Sequence, residues 1–81
     1  MTPLLGILAL MRDGNWDEAH NLVQRDDSSS GAWLHGLLHM QEGDLENAEY
    51  WYVRASRNFR DRGSFSEELD ALEASLRGSG T

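Results

Sequence analysis

Two short segments constrain this chain more than anything else in it: DGNWDEA at residues 13 to 19 and EGDLENA at residues 42 to 48, offset by 29 positions. Both run acidic, Gly, polar, large apolar, acidic, polar or acidic, Ala. A glycine that stops one helix, followed at once by an Asn or Asp that caps the next, is the signature of two helices joined by a tight turn. A weaker third echo, RGSFSEEL, begins at Arg62 and lacks the Ala. The chain therefore reads as all-α, with about five helices.

Taken in order, Thr2 and Pro3 form an N-cap and first-turn pair ahead of LLGILALM, so the first helix is expected over about residues 3 to 12. Its apolar side chains cover almost the whole circumference. Gly14 stops it, and Asn15 with Glu18 makes a capping box for a second helix over about residues 16 to 25. DDSSS then forms a loop, with Ser29 or Ser30 as the next N-cap and a third helix over about residues 31 to 42. Trp33, Leu37 and Met40 share a strip of that helix, widened by Leu34 and Leu38.

Asp44 caps the fourth helix, where Leu45, Ala48, Tyr52, Ala55 and Phe59 fall on one apolar seam. With Gly36 facing Ala48 and Ala55, the third and fourth helices can approach closely as a hairpin. Gly63 ends that helix, and Ser64 with Glu67 caps a last one over about residues 65 to 77. In it Phe65, Leu69, Leu72 and Leu76 form the buried stripe, with Glu67, Glu68, Asp70 and Glu73 toward water. The organisation is one domain over residues 1 to 77: a hairpin at 3 to 25, a hairpin at 31 to 60, a capping helix at 65 to 77, and a flexible tail at 78 to 81.

Composition narrows the function classes. Eighty-one residues make a single domain with a modest core, and 40% hydrophobic residues are too many for a disordered chain. The absence of cysteine removes disulfides, thiolate ligands and cysteine nucleophiles. The longest apolar run, Pro3 to Met11, falls far short of the roughly 20 residues of a membrane span. No membrane and a cytoplasmic address are expected. A formal charge of −7 argues against nucleic acid, because phosphate affinity depends on Lys and Arg contacts.

That charge is uneven. Nine carboxylates stand against Arg12 and Arg25 over residues 1 to 53, whereas Arg54, Arg57, Arg60 and Arg62 stand against Asp61 alone over the next nine residues. The arginines read either as the solvated end of a helix, where cations suit the dipole, or as a patch for an acidic partner. The first helix also has two readings: an unusually apolar terminal helix in a monomer, or a surface through which copies of the chain associate.

GDLENAEYWYVRA, with Gly36 on the preceding helix, resembles a tetratricopeptide repeat. Gly36, Gly43, Ala48, Tyr52 and Ala55 match that family's small and aromatic packing positions. The 29-residue spacing departs from the family's roughly 34 residues, and the first unit has Asp26 where the later small residue belongs. AWLHGLLHMQEGD with NAEYWYVRA is also similar to small bacterial helical proteins, a likeness that carries no function with it. What the first resemblance implies is two stacked hairpins and a non-enzymatic module that binds a protein or peptide, or itself, along its first helices. The residues expected to be exposed there are Trp33, Leu37, Met40 and Gln41.

The histidines carry the alternative. His35 and His39 are four residues apart, so both lie on one side of the third helix, and His20 sits on the helix expected to pack beside it. Together they make a candidate metal or small-ligand site, with Glu42, Glu46 or Tyr52 as a fourth, oxygen ligand. The competing reading makes His35 and His39 structural, facing the fourth helix near Ala48 and Tyr52. A bare H-x-x-x-H lacks the adjacent Glu of a zinc protease, and no nucleophile elbow or phosphate loop appears, so no catalytic residue and no organic cofactor are expected. Of the adjacent aromatics, Tyr52 is assigned to the core. Trp51 either covers the second or last helix or, with Arg54 and Arg57, contributes to a contact surface.

Overall fold

The computed structural model describes residues 3–78. They form α1 (Leu4–Arg12), α2 (Trp16–Val23), α3 (Ser29–Gln41), α4 (Leu45–Arg54), a 3-10 turn at Phe59–Asp61, and α5 (Phe65–Gly78). No strand occurs among the described residues, so the fold is all-α as expected. None of the helices is long and apolar enough to cross a membrane. Thr2 and residues 79 to 81, to which an N-cap and most of a tail were assigned, lie outside the described residues.

The two related segments build the same turn. Asn15 N–H donates to Leu10 and Gly14 N–H to Met11; 29 residues on, Asp44 N–H donates to His39 and Gly43 N–H to Met40. Each pair closes a helix through a residue in the left-handed region, with φ of 85° at Gly14 and 89° at Gly43, where a side chain costs most. Asp44 then caps α4 by accepting from Asn47 N–H. Asn15 makes no such bond, so the expected capping box with Glu18 is absent. The box at Ser64 and Glu67 is formed in both directions, at 3.1 and 2.8 Å. α3 begins at Ser29, earlier than expected, capped by Ser28, whose hydroxyl accepts from Gly31 N–H.

α3 is the axis of the molecule, in contact with all four other helices. It carries no formally charged residue from Ser29 to Gln41, apolar residues lie all round it, and residues 31 to 39 are all buried. A helix of that kind belongs in the middle of a core. Its approach to α4 is set by Gly36, where a Cβ would come within 2.8 Å of the Tyr52 ring and 3.1 Å of the Ala48 carbonyl. α5 closes the far side with Leu69 and Leu72.

Four expectations change. α4 stops at Arg54, not near Gly63, and Phe59 belongs to the 3-10 turn. The stop is the same turn again, with Arg57 N–H on Tyr52 and Ser56 N–H on Val53, but a serine occupies the left-handed position at φ 60°. Trp33 and Leu37, expected on an exposed groove, are core residues at 6% and 0% exposure. In α1 the large apolar residues are all buried or half-buried and only the small Ala9 and Gly6 are exposed, so no large apolar side chain there stands fully bare. The exposed large hydrophobics sit instead on α4, at Leu45, Tyr50 and Val53. Glu68, assigned to water, is buried.

Candidate metal centre

Two helices supply the site by one device, a four-residue step. Trp16 and His20 fall in line along α2 with Gln24 at its C-cap, and His35 and His39 along α3; four residues is the spacing at which helical side chains meet. Where α2 lies across α3, a nitrogen of each of His20, His35 and His39 falls within 4.8 Å of the others. The two α3 histidines therefore turn toward α2, not toward Ala48 and Tyr52; Gly36 meets those two residues instead. His35 and His39 are buried and His20 is half-buried.

Tryptophans wall the cluster. Trp16 stacks on His20 with ring centroids 4.7 Å apart and also meets the edge of His39. Its indole N–H donates to the Leu38 carbonyl at 2.7 Å, which pins the ring against α3. Trp51 stacks on His35 at 3.8 Å, so it covers α3 rather than the second or last helix. His35 is thereby held between Trp51 and His39.

Each imidazole has a hydrogen-bond partner that orients it. His20 Nε2 and His35 Nε2 are 3.1 Å apart, His20 Nδ1 is 2.8 Å from the Gln24 amide nitrogen, and His39 Nδ1 is 2.8 Å from Glu42 Oε2. With the Gln24 amide donating to Nδ1, His20 carries its proton on Nε2 and donates it to His35; ligating a metal through Nε2 requires that proton on Nδ1, with the Gln24 amide turned so that its oxygen accepts it. Glu42 accepts from His39 Nδ1–H, which leaves His39 Nε2 with its lone pair. Gly43 sets up that contact: the turn it closes leaves Glu42 as the C-cap of α3, one turn from His39.

The electrostatics favour neutral rings at His20 and His35. Burial lowers the His35 pKa to about 4, with His20 and His39 adding to the effect. Burial also lowers that of His20, reinforced by His39 and opposed by Glu42 and Asp17. Neutral imidazole is the form that ligates metals. A tetrahedral ion bound at roughly 2.0–2.1 Å holds its nitrogens about 3.3–3.4 Å apart. The His20–His35 separation of 3.1 Å is already near that edge. The widest separation, at most 4.8 Å, exceeds it by roughly 1.4 Å, a side-chain adjustment. Glu42 on the outer nitrogen of His39 has the carboxylate–histidine arrangement that orients metal ligands.

The other residues singled out by sequence divide. Trp51 and Arg54 adjoin the histidines, with the Arg54 guanidinium 5.3 Å over the Trp51 ring. Gln41 is exposed and donates to the Met11 carbonyl, and Met40 is half-buried. Leu37 is core. Arg57 lies on the face of Trp33 at 3.5 Å, apart from the cluster, where Trp33 Nε1–H donates to the Tyr52 hydroxyl and that hydroxyl donates to Glu68 at 2.6 Å. This commits Tyr52, so it is not a fourth ligand. Glu42 serves as a partner of His39, and Glu46 is exposed on α4. Trp16 and Gln24 escaped notice as site residues, although their four-residue steps to His20 were visible. Compared with known proteins, the chain matches no protein-family model, no curated protein and no solved structure.

Proposed function

We propose that this protein binds a divalent transition metal through His20, His35 and His39. The observation that carries the reading is the convergence of three imidazole nitrogens, from two helices, within 4.8 Å. Nitrogen ligands suit zinc, nickel, cobalt or copper and not the oxygen-seeking calcium or magnesium. The acidic chain favours arrival of a cation. The role is one of binding, in the cytoplasmic setting expected from the sequence. Calorimetric titration of zinc or nickel tests it: one equivalent should bind, and His39→Ala should abolish the tight event. Wild-type protein whose thermal stability is unchanged by either metal would refute the reading.

A second reading has its own support. Leu45, Tyr50 and Val53 are 50%, 54% and 68% exposed on one helix, and the bond pattern recurring at Gly14 and Gly43 is in keeping with the tetratricopeptide resemblance. In it the chain is a small module that associates through α4 with a protein, or with itself. Light scattering across a wide concentration range tests the self-association form. A strict monomer, unaffected by Val53→Asp, counts against it.

A further inference from the structure

Three neutral imidazoles leave a divalent ion with its full charge and an incomplete coordination shell. The carboxylates nearest the cluster are committed: Glu42 to the outer nitrogen of His39, and Asp44 to the first turn of α4, where it accepts from Asn47. Tyr52 donates to Glu68 on the other side of α3. The remaining position therefore falls to a group from outside the protein, as in metal sites built from three protein ligands.

The structure places an opening beside one of the three histidines. A cavity of about 80 Å³ reaches His35 between the α2–α3 loop and α4, lined by Gln24, Asp26, Asp27, His35, Trp51 and Arg54. One water needs roughly 10–15 Å³ of such space, so the cavity has room for an ion of a few heavy atoms. Its wall is a stack: the Arg54 guanidinium over Trp51, and Trp51 over His35. Asp26 is turned into the loop, where Oδ1 accepts from Ser28 N–H and Oγ–H. Asp27 is exposed, its charge screened by solvent. At bonding distance the metal's own charge dominates the local field.

Resting on the metal reading above, we infer that the centre holds its metal with one exchangeable position, and that this position takes a small monovalent anion of the carboxylate class, admitted beside Arg54. The anion binds after the metal. Without the ion, Arg54 is an exposed cation screened by solvent, and a formate- or acetate-sized ligand is held there only weakly.

Cobalt(II) makes both steps visible, because its absorption bands report coordination number and ligand exchange. The full chain is loaded with cobalt near neutral pH in a non-coordinating buffer, then titrated with sodium acetate against sodium perchlorate at matched ionic strength. A saturable change in the visible bands with acetate alone is expected. Arg54→Gln should weaken acetate by up to about fivefold, the scale of a partly exposed ion pair, and leave cobalt affinity unchanged. One equivalent of bound cobalt whose bands ignore acetate overturns the exchangeable site while leaving metal binding intact. Acetate binding equally well to the metal-free chain, or to Arg54→Gln, overturns the order or the route. Failure of cobalt to bind removes the metal reading together with this inference.

Discussion

Gly36 and Glu68 show how much single positions decide in so small a core. A methyl at Gly36 would meet the Tyr52 ring edge and a backbone carbonyl, and Tyr52 cannot retreat because its hydroxyl is tied to Trp33 and Glu68. Gly36→Ala gains up to about 1 kcal/mol of helix propensity but incurs about 1–3 kcal/mol of overpacking. A net loss of about 1 kcal/mol should appear as a lower urea midpoint at unchanged slope. At Glu68, burial alone would raise the pKa, yet the donors Tyr52 and Gly63, with the charge of Arg57, bring it below the ordinary carboxylate value. Its folded pKa lies below its unfolded one. The stability it contributes is therefore present above the ordinary carboxylate range and lost as pH falls through the lower, folded value. Urea midpoints should fall on acidification less steeply in Glu68→Gln than in wild type; parallel profiles would contradict this. Sequence assigned Glu68 to water because its helix stripe is built from Leu69 and Leu72, and nothing local shows that Tyr52 will lie across from it.

Among the helices, the ends are more informative than the middles. Gly14 and Gly43 were legible as stops because glycine is the residue that tolerates a left-handed C-cap, and both have that conformation. The end of α4 was illegible for the same reason: Ser56 takes the left-handed position with φ 60° and leaves no glycine to mark it. Holding an L-residue there costs about 1 kcal/mol or more. Ser56→Gly should thus raise the stability by about 0.5–1 kcal/mol, measured by urea denaturation, with the helical circular dichroism unchanged. A loss would mean that the serine side chain holds the turn. At α1 the sequence left two readings open, a terminal core helix or a surface for association. Its circumference is as hydrophobic as expected, but α2, α3 and α5 all pack against it. Only the number of neighbours, a tertiary quantity, tells a partner surface from a core helix.

For the molecule as a whole, the proposed metal binding would be linked to folding, because an ion that binds the folded chain alone stabilises it. At a hundredfold excess over Kd the gain is about 2.7 kcal/mol, which for a domain of this size raises Tm by upward of about 10 °C. His20→Ala, at a half-buried position, should keep the fold and lose the shift, and Glu42→Gln should weaken zinc by about 10- to 100-fold through the orientation of His39. Thermal melts with and without zinc measure both. A shift that survives His20→Ala would place the metal elsewhere. By itself the sequence determined that the chain is helical, where most of its helices begin and end, and that His35 shares a side of α3 with His39. Those properties follow from capping chemistry and from the 3.6-residue period, which act over a few neighbouring positions. Only the tertiary structure decided that α3 is enclosed, that Trp33 and Leu37 are core, and that His20 completes the cluster under Trp16 and Trp51. Each depends on how the helices lie against one another, with α3 in contact with all four others, and that is set by mutual packing rather than by any local pattern.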